Sequence, residues 1–160
     1  MNPKATSLIH KMASPWRQRL FLFLKLPAAW FSGIRIMELH QERSVVTVNY
    51  KWFTKNPFRS TYFACLAMAA EMSSGILAMM QVYKRRPKIS MLVVKMEANF
   101  LKKATGRTYF TCEAGKDFER IVDDCIRMKE ARTYIATAIG RNEQQERVAE
   151  FYITWSFMVK

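Results

Sequence analysis

Residues 60–83 form a run of 24 that carries one formal charge, Glu71. The run is rich in Ala, Met and Leu. Arg59 bounds it on one side and Lys84, Arg85 and Arg86 on the other. Ser60 or Thr61 can cap a helix start, cations suit a helix C-terminus, and Pro87 prevents continuation. One helix is therefore predicted over 61–83. A helix with no polar face has to be covered all round. The run is also long enough to cross a bilayer. Glu71 at its midpoint argues against that, because a central charge costs roughly 2.5–3.5 kcal/mol on insertion scales. Ser73, Ser74 and Gly75 lower the apolarity further, and the flanking segments have the pattern of amphipathic strands. The expectation is a core helix. A single sheet covers only one side of it, so the other side is expected to meet a second copy, as a dimer or a dimer of dimers.

The flanks supply the sheet. Residues 34–40 and 44–52 read as strands, with Gln41-Glu42-Arg43 turning between them. Val46, Val48, Tyr50 and Trp52 share one face of the second strand. Beyond the helix, Leu92, Val94, Met96, Ala98 and Phe100 alternate, as do Thr108, Phe110, Cys112 and Ala114 after a turn at Ala104-Thr105-Gly106. That pattern predicts a hairpin. Asp117 can cap a short helix with Phe118, Ile121, Val122, Cys125 and Ile126 on one face. Two strands close the chain: 131–141, with Ile135 and Ile139 inward, and 147–159, with Ala149, Phe151, Ile153, Trp155, Phe157 and Val159 on one face. Near the N-terminus, Ser14-Pro15 starts a helix in which Trp16, Leu20, Phe23 and Leu24 fall at helical spacing, and Pro27 ends it. This helix either covers the domain, the plainer reading, or lies on a membrane surface. The layout is α+β, an antiparallel sheet against one long helix. It divides into an N-terminal helical segment, 1–33, and a main domain, 34–160.

Composition narrows the chemistry. The net charge of +13 over 160 residues is uneven: residues 1–60 carry +8, 61–110 carry +6 and 111–160 carry −1. Such a surface suits an anionic partner. Nucleic acid fits poorly, because the aromatics alternate along strands instead of interleaving with Lys and Arg. Three cysteines and no CxxC pair leave no disulfide scaffold and no structural zinc site. Two histidines, His10 and His40, leave no material for a Ser-His-Asp triad or an HExxH site. Neither GxGxxG nor GxxxxGK[ST] occurs. No metal and no cofactor are expected, so chemistry falls to carboxylates, amides, hydroxyls and backbone N–H groups. The apolar run Leu20–Leu24 is cut by Lys25 and is followed by no small-residue cleavage site, unlike a signal peptide. The expected location is cytoplasmic.

The start of the central helix carries a spaced pattern. Asn56 is followed after five residues by Tyr62-Phe63-Ala64, and after six more by Glu71. Layout and spacing together resemble the hotdog-fold thioesterase superfamily, specifically its PaaI-like branch. The likeness covers roughly residues 34–159. It points to one of the uncharacterised families of that branch. The branch has an Asn, a His-Gly-Gly and an acid at these positions. The Asn and the acid match here, and the His-Gly-Gly reads Tyr-Phe-Ala.

The resemblance implies a curved antiparallel sheet wrapped around the helix, and hydrolysis of an acyl thioester of coenzyme A or of a carrier protein. Glu71 would be base or nucleophile, and Asn56 would hold the water or the carbonyl. Thr61, Tyr62, Phe63, Ala64 and Ser74 would contact substrate. Met68, Met72 and Met79 can line an acyl tunnel. Lys84, Arg85, Arg86, Lys102 and Lys103 are either a solvated face or a site for the coenzyme A phosphates. Losing both glycines narrows backbone access to the carbonyl. Two alternatives therefore stay open: a non-catalytic acyl- or acyl-CoA-binding protein on the same fold, and a structural Glu71 paired with a base across an interface.

Overall fold

Pro15 and Pro27 each stand in the first turn of a helix, α1 (Pro15–Lys25) and α2 (Pro27–Phe31). Proline suits that position, where its missing N–H has no intrahelical acceptor anyway. In this computed structural model, residues 9, 10, 12 and 14–160 are described. The part of the N-terminal segment at residues 1–8, 11 and 13 lies outside them. The chain continues through β1 (Arg35–Leu39), β2 (Ser44–Asn49), a 3-10 turn at Trp52–Thr54 and the long helix α3 (Phe63–Val82). Then come β3 (Ile89–Phe100), β4 (Arg107–Cys112), α4 (Gly115–Met128), β5 (Arg132–Arg141) and β6 (Arg147–Val159).

The six strands form one antiparallel sheet in the order β1-β2-β4-β5-β6-β3. Its inner face carries Val46 and Val48, Phe110 and Cys112, Ala136 and Ala138, and Phe151, Ile153, Trp155 and Phe157, all buried. These share one core with Ala69, Ala70, Leu77 and Met80 of α3. A long helix wrapped by a curved sheet is the hotdog arrangement. Helix α4 packs on α3 through its expected apolar face, with Phe118, Val122 and Cys125 buried. The helix α3 therefore finds cover within its own chain from α4, and from α2 as well.

Several local expectations are corrected. The hairpin predicted between residues 92–100 and 108–114 does not form: β3 pairs with β6, and β4 pairs with β2 and β5. Loop 101–106 instead carries the chain from one edge of the sheet to its middle. The alternation in β3 is also interrupted. The register against β6 shifts between Val93 and Lys95, so Met91 and Val93 face inward opposite Phe157 and Trp155, whereas beyond the bulge Met96 and Ala98 do, opposite Ile153 and Phe151.

In β5 the faces are reversed. Ala136, Ala138 and Gly140 are buried, whereas Ile135 is 58% exposed. The reason is space, since a Cβ on Gly140 would lie 2.6 Å from the Phe110 ring. The second strand ends at Asn49 rather than reaching Trp52, which stands exposed in the 3-10 turn. Tyr62, not Ser60 or Thr61, precedes α3, and no side chain caps it. Ser60 is held by Asn56, and the Thr61 hydroxyl donates to the Ala104 carbonyl at 3.1 Å. Asp117 falls inside the first turn of α4, one turn later than a cap.

Candidate active site

Along α3, Ala64, Met68, Glu71, Gly75 and Met79 are half-buried, at the three-to-four spacing of a single stripe. Glu71 stands at the middle of the one face that the chain leaves incompletely covered. Its carboxylate enters a cavity of about 160 Å³ whose other walls are almost wholly apolar. Phe21, Leu22 and Leu26 come from α1 and its end, Ile36 from β1, Met91 from β3 and Trp155 from β6. Met72, Ile76 and Met79 complete it from α3 itself. Burial pushes the Glu71 carboxyl above the ordinary carboxylate range, and no neighbouring charge offsets the shift.

Gly75 and Ser74 shape this carboxylate's surroundings. A Cβ on Gly75 would lie 3.1 Å from Glu71 Oε1 and 3.1 Å from the Trp155 ring. The missing side chain therefore makes room for both groups, one turn beyond Glu71. Ser74 Oγ donates to the Glu71 carbonyl oxygen at 3.1 Å and accepts from Trp155 Nε1 at 3.0 Å. Ser74 thus fixes the indole against the cavity and satisfies its buried N–H.

The other expected site residues gather elsewhere. Asn56, Thr61, Tyr62, Phe63, Lys102 and Lys103 line a second groove, of about 570 Å³, at the N-terminal end of α3. Phe100 of β3 forms part of its wall. Asn56 Oδ1 accepts from the N–H groups of Phe58 and Ser60, at 3.0 and 3.1 Å, so the amide closes its own loop. Ala64 lies one position inside the helix. Phe63 and Ala64 contribute N–H groups with no intrahelical acceptor. Ala64 and Glu71 are about 10 Å apart along the axis at 1.5 Å per residue.

The basic residues split in the same way. Lys102 and Lys103 border the second groove, Lys102 at 2.6 Å from Glu146. Lys84, Arg85 and Arg86 lie at the far end of α3, where Arg85 pairs with Asp123. No motif or spacing in the sequence marks Phe21, Leu22, Ile36, Met91 or Trp155 as site residues. Trp155 was legible as an inward residue of the last strand, but its meeting with Glu71 depends on how the sheet curves.

Solved structures place this architecture among known proteins. PA5026 of Pseudomonas aeruginosa, a protein of unknown function described as a probable thioesterase, superposes with a TM-score of 0.77 at 19% identity, over 92% of this chain and 97% of its own. The E. coli PaaI protein, from the phenylacetic acid degradation operon, superposes with a TM-score of 0.64 at 17% identity, over 96% of both chains. Haemophilus influenzae thioesterase HI1161 superposes at 0.64 with 12% identity, over 91% of both. At such identities the likeness is one of fold. No curated protein matches the sequence. Residues 15–157 match the family described as a domain of unknown function, DUF4442, and the chain belongs to that family, on the hotdog fold that it shares with named thioesterases.

Proposed function

We propose that the protein hydrolyses an acyl thioester of coenzyme A or of a carrier protein, with Glu71 as the acid–base group. The observation that carries this reading is a lone carboxylate in an apolar cavity, with its proton affinity raised by burial. A base poised nearer neutrality both takes and returns a proton efficiently. Glu71 accepts a proton as water adds to the thioester carbonyl. The tetrahedral intermediate then expels the thiolate, which receives that proton, leaving carboxylic acid and thiol. The chain-end walls of Met72, Met79 and Met91 suit an acyl group of variable shape. The N–H groups of Phe63 and Ala64 are the donors for the developing oxyanion.

Within one chain those donors stand too far from Glu71 to share a carbonyl. A dimer removes the difficulty. Strand β3 is an edge, 12 residues long and rich in apolar side chains, a template for pairing with another strand. Two copies of β3 paired antiparallel about Val94–Lys95 set residue 91 of one copy opposite residue 98 of the other. The groove at the start of α3 in one copy then approaches the Glu71 cavity of the other. The same pairing brings Lys102 and Lys103 beside the Lys84-Arg85-Arg86 end of the second copy, as a joint site for the coenzyme A phosphates. In this reading Asn56, Thr61 and Tyr62 shape the groove where the thioester enters.

A second reading, acyl binding without turnover, is favoured by Phe63, bulky and exposed where the His-Gly-Gly pattern has its first glycine, and by Tyr62 in place of the His. A panel of acyl-CoA chain lengths with a thiol-reactive chromophore separates the two. Thiol release that drops about 10²–10⁴-fold in Glu71→Gln supports hydrolysis. Release no faster than the variant's at every chain length, with ligand retained in native mass spectrometry, supports binding alone.

A further inference from the structure

We propose that α1 and α2 dock this protein on an anionic lipid surface. Helix α1 buries Leu22 against the domain but leaves a broad apolar arc facing out. Its one uncharged polar residue, Gln18, faces the domain at 6% exposure, while Trp16, Leu20, Phe23 and Leu24 are 48–63% exposed. The orientation of the helix is held in place: Gln18 Nε2 donates to the Ile36 carbonyl at 2.8 Å, and Ile36 N–H donates to Gln18 Oε1 at 3.1 Å. At 100° per residue the four outward apolar residues cover an arc of about 100°. Arg17 and Arg19 flank that arc on opposite sides. Each lies over an indole, with Cζ 5.5 Å from the ring of Trp16 or Trp30. The patch continues onto α2, where Phe31, 52% exposed, stacks on Phe53 of the 3-10 turn at 6.2 Å.

Charge decides what covers this face. The first acidic residue in the chain is Glu38, so the charges on α1 are all cationic, Arg17, Arg19 and Lys25, and α2 is uncharged. A second copy would bring the same cations against them. A polyanion without an apolar layer would leave the leucines in water. An interface of anionic headgroups above acyl chains satisfies both, with Trp, Phe and Leu below the headgroup level and Arg and Lys at it. The opposite face of the same helix, through Phe21 and Leu22, walls the Glu71 cavity, so docking would set that cavity one helix diameter, roughly 10 Å, behind the lipid boundary. The inference stands apart from any chemistry at Glu71, because its test involves no turnover.

The test is co-sedimentation of the full chain with phosphatidylcholine vesicles, with and without phosphatidylglycerol. Binding to the anionic vesicles alone, weakening as salt is raised, is the expected result. Leu20→Glu with Phe23→Glu should weaken it by about a hundredfold or more, and each of Arg17→Ala and Arg19→Ala by about fivefold. These side chains are exposed, so circular dichroism and thermal melting should match the parent. No binding to anionic vesicles at low salt overturns the proposal. So does binding that the double variant leaves intact, or a double variant whose only change is a lower oligomer mass in light scattering.

Discussion

Glu71 takes its character from neighbours that carry no charge. Desolvation by Trp155, Ile76, Met91, Leu22 and Leu26 penalises its ionised form. Protons are therefore bound more tightly in the folded chain than in the unfolded one. Stability should fall as pH rises from the ordinary carboxyl value of 4.5 through the raised value of the folded state, and the penalty is complete above it. Glu71→Gln should accordingly melt higher than the parent at pH 7, with the gap closing below about pH 4. Denaturation curves across that range measure this, and a gap that stays constant with pH would contradict it. Ser74 acts through Trp155. Ser74→Ala strands a buried indole N–H and should cost about 1–3 kcal/mol. It should also slow thiol release, because the ring is no longer held against the cavity. Gly75→Ala should slow it too, at little cost in stability: helix propensity favours Ala by about 1 kcal/mol, against crowding at 3.1 Å.

At the scale of elements, β5 shows how packing overrules hydrophobicity. Its small residues face the helix and its isoleucines face out, because Phe110 fills the space beside Gly140. Gly140→Ala should overpack that contact by about 1–3 kcal/mol, readable as a lower midpoint in urea. Helix α3 and strands β1, β2, β5 and β6 were legible as segments, because their apolar spacing is local information. Even the face of β6 was readable, since Phe151, Ile153, Trp155 and Phe157 are too large to fit anywhere but a core. The pairing of β3 was not legible. A tight turn and two alternating runs look the same whether the second run folds back or crosses to another strand. The bulge at Val94 added a change of face that no alternation can announce.

Among the described residues, the β3 edge and the outward face of α1 are surfaces that a lone chain leaves bare. Pairing through β3 should give a mass of about twice 18.8 kDa in light scattering. Leu92→Glu with Val94→Glu puts charge on that exposed edge and should yield folded monomers. If the thioester site is shared between copies, those monomers should lose thiol release as well. Full activity in the monomer would sink the shared site while leaving Glu71 in place. The helix expected to need a second copy on its bare side is partly covered by α2 and α4, which leaves a narrower stripe, the one with Glu71 at its centre.

By itself the amino-acid order determined a charge-poor helix with one acid in it, a strand-rich remainder and a cationic N-terminal part. Each of these is a property of neighbours along the chain. Tertiary structure decided which strands pair, that Glu71 and Asn56 occupy different cavities, and that Gln18 rather than Trp16 turns inward. These outcomes depend on contacts between distant segments, where volume and the satisfaction of backbone hydrogen bonds outweigh local preference.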